Sequence, residues 1–220
     1  RQMQCSNNLK QFGLAMHNFH AAFNAFPSAG WGFHWAPHPD RGLSKDQPGS
    51  CMYALLPYLE QESVFRLGEG VGRTNETDPR LLAANKQRLE TPLSVFNCPS
   101  RRAPVNYPIA SIFASISYVV KPTLCDKLTV SARTDYAVNG GEVFDWGMLG
   151  GPDSLAAADN GSYKFSNATN TGIVWCHHHY TIADITDGCS TTYMFGEKSI
   201  NPDFYITGES EGDAMGPYIA

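Results

Sequence analysis

The chain has 220 residues, of which 42% are hydrophobic, 12% aromatic and 17% charged: enough apolar side chain for one sizeable core, and too little charge for a disordered chain. Sixteen Lys and Arg against 21 Asp and Glu give a net charge of −5, the wrong sign for a domain that binds nucleic acid through phosphate contacts. The longest nearly uncharged apolar run, residues 111–120, is far short of the ~20 residues a membrane-spanning helix needs, while 20 Gly and 14 Pro spread along the chain predict many turns, a β-rich body and long loops.

Apolar or small residues recur at Cys5, Leu9, Phe12, Met16, Phe19 and Phe23, which is one stripe down an amphipathic helix over residues 1–24. Asn24 and the Ala-Phe-Pro that follows supply a stop, since Pro27 pushes Phe26 out of helical geometry. The start, Arg-Gln-Met-Gln, carries no capping Ser, Thr, Asp or Asn, and Arg1 would oppose the helix dipole. Residues 1–24 are therefore expected to be the downstream part of a longer helix.

Residues 28–50 mix Gly, Pro, Trp and His without periodicity and read as a long loop whose Trp31, Phe33 and Trp35 pack on the head. Residues 51–65 form an apolar element interrupted by Pro57. A short helix fits 78–89, with Asp78 as cap and Pro79 at its first position. Strands are expected at 111–120, 128–138, 172–182 and 191–197, with a sharp turn through Asn139-Gly140. Residues 145–172, rich in Gly, Asp, Asn and Ser, read as an exposed insertion.

The six cysteines, at 5, 51, 98, 125, 176 and 189, include no two closer than 13 residues. No CxxC spacing exists, which argues against zinc ribbons, thioredoxin-like sites and c-type haem attachment. Disulfides in an oxidising compartment are the expectation and small buried hydrophobes the alternative.

The densest polar cluster is Trp175-Cys-His-His-His-Tyr180, followed by Asp184 and Asp187. On a strand His177 and His179 would share one face, and with a carboxylate such as Asp187 or Asp184 they would hold a divalent metal ion. The competing reading is a solvated histidine patch. Thr186-Asp-Gly-Cys-Ser190 reads as a turn in which Asp187 caps backbone amides and Gly188 takes a positive φ. An enzyme is not expected: the nucleophile elbow, the HExxH pair, the phosphate loop and the dinucleotide fingerprint are all absent, and Cys176 or Cys189 lacks the local signature of a nucleophile. Sequons at Asn75, Asn160 and Asn167 are weak signals.

The run from Gln4 to His20, Gln-Cys-Ser-Asn-Asn-Leu-Lys-Gln-Phe-Gly-Leu-Ala-Met-His-Asn-Phe-His, closing on Phe26-Pro27, resembles the start of the mature head in a family of planctomycete pilin-like proteins of unknown function. Residues 55–61, 96–100 and 134–141 are similar to the same family. So is His177, then nine residues, then Asp187-Gly188, leading through Ser190-Thr-Thr to Met194-Phe-Gly-Glu197, which matches its H-x9-DG signature. Family members continue into a His-Pro-Gly-Gly and Asp-Gly-Ser segment with no counterpart after Tyr205, so truncation is expected at both ends.

The resemblance implies an α+β, pilin-like or pseudopilin-like fold: the helix of residues 1–24 packed on an antiparallel β-sheet in a head of residues 25–220. It implies a prepilin-type protein exported to the periplasm or cell surface. Such a subunit is anchored in the membrane by an upstream helix and assembles with itself or related subunits. It also implies a Cys5–Cys98 disulfide, and it includes Glu197 in the second motif. The alternative is a cell-surface module that binds a metal, glycan or peptide with the aromatic loop and histidines; a secreted metal-dependent hydrolase is a third reading. Apart from the divalent metal ion, no cofactor is expected.

Overall fold

The computed structural model describes residues 1–142, 150–165 and 170–219. Helix α1 spans Gln2–Phe23, and its terminal Asn24 sits in left-handed geometry with its N–H donating to the His20 carbonyl, the usual way a helix ends before an extended segment. The buried face is Cys5, Asn8, Phe12, Ala15, Met16 and Phe19. It is rotated slightly from the stripe read in the sequence: Leu9 is half-buried and Phe23 is 47% exposed. Phe12 is fully buried, with ring centroids 5.5 Å from Phe96, 5.4 Å from Tyr136 and 5.1 Å from Phe195.

After α1 the chain runs as the expected long loop. Trp31 and Trp35 are buried edge to face at 5.1 Å, and each indole N–H finds a backbone carbonyl, of Lys45 at 2.9 Å and Pro152 at 3.1 Å. Pro57 divides the next segment into helix α2 (Cys51–Ala54), a 3-10 turn (Leu56–Leu59) and helix α3 (Glu62–Phe65). Helix α4 is Pro79–Leu89, and Asp78 caps it by accepting from the Arg80 N–H at 2.8 Å. Helix α6, Leu155–Asp159, lies in the expected insertion, which otherwise falls partly outside the described residues, as does the Asn167 sequon.

The strands among the described residues are shorter than the sequence suggests, and two of the four expected segments form none. Strands β1 (Tyr107–Pro108) and β2 (Val130–Ser131) form one antiparallel ribbon. Strands β3 (Tyr136–Val138) and β4 (Phe195–Glu197) form another, with Tyr136 opposite Glu197 and Val138 opposite Phe195. Helix α1 packs across β4 and the 56–59 turn. Residues 111–120 are not a strand: they form a 3-10 turn (Ser111–Phe113) and helix α5 (Ser117–Val120). Their period is three, which brings Phe113, Ile116 and Val119 onto a small satellite cluster with Ala110 and Ala214.

Residues 172–182 are not a strand either. They pair irregularly with the chain after α1, through Phe26 N–H to the Tyr180 carbonyl, Ala29 N–H to Trp175 and His177 N–H to Gly30. A bridge between Trp175 and His178 closes a turn. The main hydrophobic cluster runs from Cys5 to Ile219, so α1 and the head share one core.

Candidate functional site

Three polar centres stand out. The first is the junction of α1 with the head. Cys5 and Cys98 form a disulfide across a sequence separation of 93. Beside it Asn8, buried on α1, donates to the Asn97 carbonyl at 3.1 Å and to the Tyr136 hydroxyl at 3.2 Å, while the Tyr136 hydroxyl donates to the Cys5 carbonyl at 3.4 Å. An amide buried in an apolar helix face must find such partners. Here they fix the helix in rotation and height.

The second centre lies behind that junction. The Arg102 guanidinium meets Asp213, donating at 2.8 Å to Oδ1 and also to Oδ2, and its Nε stands 2.9 Å from Asp135 Oδ1. That last contact is an approach of charges and not an aligned hydrogen bond. The other Asp135 oxygen accepts from the Cys98 N–H at 2.7 Å, so the ion cluster and the disulfide are physically joined. Burial works against the charge on Arg102, but the Asp213 hydrogen bond and the two carboxylates outweigh it and raise its pKa. Lys198, whose ammonium donates to the Gly212 carbonyl at 2.8 Å, is pushed down to about 8, by burial first, with Arg102 and Arg133 adding to the fall. Glu197 lies at the edge of this region, paired with Arg101 at 2.8 Å. Sequence reasoning missed Asn8, Arg102, Asp135 and Asp213. The one available signal was two adjacent arginines just after the Cys98-Pro-Ser segment.

The third centre is the histidine run. It does not alternate between two faces, because His177 takes φ +50° and breaks the extended path. As a result His177, His178 and His179 line one hollow of about 640 Å³, together with Phe23, Ala25, Leu43, Ser44, Lys45 and Asp46. The His177 ring lies flat on Phe165, with centroids 3.6 Å apart, and burial, reinforced by Lys45, lowers its pKa to about 4. His179 Nδ1 is 2.8 Å from the Phe26 carbonyl.

The carboxylates expected to join the histidines are elsewhere. Asp184 closes a capping box on Thr181, accepting from its N–H at 2.7 Å and its hydroxyl at 2.8 Å, bonds that hold its pKa below the usual carboxylate value. Asp187 lines a separate hollow with Asp184, Asn170 and Thr192. Neither carboxylate is among the residues that line the hollow of the histidines. Gly188 does take a positive φ, +90°. The turn is held by backbone bonds, Gly188 N–H to the Ile185 carbonyl and Thr191 N–H to the Gly188 carbonyl, and by the Thr191 and Thr192 hydroxyls, donated to the carbonyls of Asp187 and Gly188. The Tyr136–Gly141 turn places its positive φ at Gly141, whose N–H donates to the Asn139 side chain at 3.0 Å.

Among the described residues, the only three His, Cys, Asp or Glu side chains with ligand atoms within 4.8 Å of one another are Cys5, Cys98 and Glu197, and the two sulfurs there are bonded to each other. The remaining cysteines are free thiols. Burial pushes Cys51 and Cys125 up to about 12 and Cys176 up to about 11, the opposite of what a nucleophilic thiolate requires. No helix among the described residues is long and apolar enough to cross a membrane.

No curated protein and no solved structure matches the chain significantly. A family model described as "Protein of unknown function (DUF1559)" matches residues 1–218. With a match over nearly its whole length, carrying the disulfide junction, the ion cluster and the histidine hollow alike, the chain belongs to the DUF1559 family.

Proposed function

We propose that this chain is the head of an exported, pilin-like or pseudopilin-like structural subunit that assembles through α1 with copies of itself or related subunits. The subunit is placed at the periplasmic side of the membrane or the cell surface, attached by a hydrophobic helix continuous with α1. One observation carries the reading, the outer face of α1. A surface helix normally turns charged side chains to water, yet among the 22 residues of α1 Lys10 is the only Asp, Glu, Lys or Arg. That outer surface exposes Met3 (87%), Leu14 (63%) and Phe23 (47%) among neutral amides. Its inner face, by contrast, is fixed by a disulfide and buried amide bonds. A helix locked on one side and nearly uncharged on the other suits packing against further helices.

The test is Leu14→Glu in the native host. A charge at an exposed position changes stability by no more than about 0.5 kcal/mol, so the head should fold as before. Cell-surface crosslinking should lose its ladder of multimers. An unchanged ladder in the folded variant would contradict assembly through α1.

A further inference from the structure

The hollow that holds the three histidines has features beyond a solvated patch. The Nδ1 of His179 is 2.8 Å from a backbone carbonyl, that of Phe26. A carbonyl only accepts, so Nδ1 carries the proton and Nε2 keeps its lone pair. An N–H held by a backbone carbonyl, with the other nitrogen left to donate electrons, is the arrangement that orients metal-binding imidazoles.

His177 is fixed as well. Its backbone takes a positive φ of +50°, uncommon for a residue other than Gly although His, Asn and Asp adopt it more readily than the rest; its N–H donates to the Gly30 carbonyl at 2.8 Å, and its ring is stacked on Phe165 within 4° of parallel. Backbone strain of this kind persists only where the surroundings enforce it. The loop wall contributes Asp46, whose Oδ2 makes an exposed ion pair with Arg73 at 3.2 Å. Finally, Phe23 and Ala25 place the C-terminus of α1 against the hollow, and the partial negative charge there favours a cation.

We propose that this hollow binds a borderline divalent transition-metal ion, of the Zn²⁺ class, through His179 Nε2, a ring nitrogen of His177 and the carboxylate of Asp46. Imidazole nitrogens with one carboxylate select such ions over Ca²⁺ or Mg²⁺, which prefer all-oxygen sites. Asp187 has no part in it, since it lines a different hollow. The three donors do not stand within 4.8 Å of one another, so binding draws the exposed Asp46 side chain from Arg73 toward the rings. Lys45, also exposed on the rim, turns outward into water as the ion enters. The hollow shares Phe23 with the outer face of α1 but takes no ligand from that helix.

The experiment is titration calorimetry of the full chain, stripped with a chelator, using Zn²⁺ alone as the probe. One equivalent binds with micromolar affinity. His179→Gln and Asp46→Asn each weaken it at least about tenfold, and Asp187→Asn leaves it unchanged. His177→Asn, which removes the imidazole while keeping a residue that tolerates the left-handed backbone, abolishes it. Circular dichroism melts confirm that each variant is folded. Absence of saturable binding to the wild type overturns the proposal, as does wild-type affinity in folded His179→Gln, and equal weakening by Asp187→Asn overturns the choice of Asp46.

Discussion

Removing the Cys5–Cys98 bridge with the double substitution Cys5→Ala and Cys98→Ala releases the N-terminal part of α1 from its disulfide cross-link to the head. The bridge closes a loop with a sequence separation of 93. In the chain-entropy account a loop of that length restricts the unfolded state by about 15–16 cal/mol/K, equivalent to about 4.6 kcal/mol at 25 °C. Two small buried side chains lost from the core add little. At about 2–4 °C per kcal/mol for a chain of this size, the melting temperature falls by about 9–18 °C. Differential scanning calorimetry with and without reductant measures it: reductant lowers the wild type toward the double variant and leaves the variant itself unmoved. A loss below about 1 kcal/mol, outside the typical 2–4, would refute the reasoning. It would mean that Phe12, Asn8 and their partners hold α1 without help.

Phe12→Ala removes the ring that stacks on Phe96 and Phe195 and packs at a tilt against Tyr136 and costs about 3–5 kcal/mol in urea denaturation; a cost under about 1 kcal/mol would show that α1 is not part of the core. Asp213→Ala strips Arg102 of its hydrogen-bonded carboxylate and destabilises by about 3–5 kcal/mol, whereas the pair Asp213→Ala with Arg102→Met costs less than the first change alone, because no uncompensated charge stays buried. Burial lowers the pKa of His38 and His34 from the ordinary 6.5, and His38 is fully buried. Between the folded and unfolded pKa values the unfolded chain binds more protons, so this stability is full above pH 6.5 and is lost as pH falls below it. His38→Leu should therefore flatten the drop in urea midpoint between about pH 7 and pH 5, and an unchanged drop would remove His38 from the account.

The helical half of this fold is open to reading because its signals are local. The stripe from Cys5 to Phe19 and the Asp78-Pro79 start both lie within one element, and α1 and α4 form where they predict. The strands were less legible for a physical reason. Residues 111–120 are rich in β-branched and aromatic side chains, yet Phe113, Ile116 and Val119 repeat every three and meet a satellite cluster that includes distant Ala214. In residues 172–182 the partner is the chain just after α1, and the left-handed turn at His177 depends on a hydrogen bond to Gly30. The histidines of the candidate site are visible as a run, but Asp46 is not, because 131 residues separate it from His177 and only the folded loop brings them together. Arg102, Asp135 and Asp213 escape notice for the same reason: charges distant in sequence become one buried cluster only in the fold.

The most direct test of the structural-subunit reading is the intact mass and N-terminal sequence of the protein isolated from its native cells. The account predicts an N-methylated first residue followed by a hydrophobic helix of about 20 residues joined to α1. A conventional signal-peptidase terminus with no hydrophobic helix before α1 would contradict it.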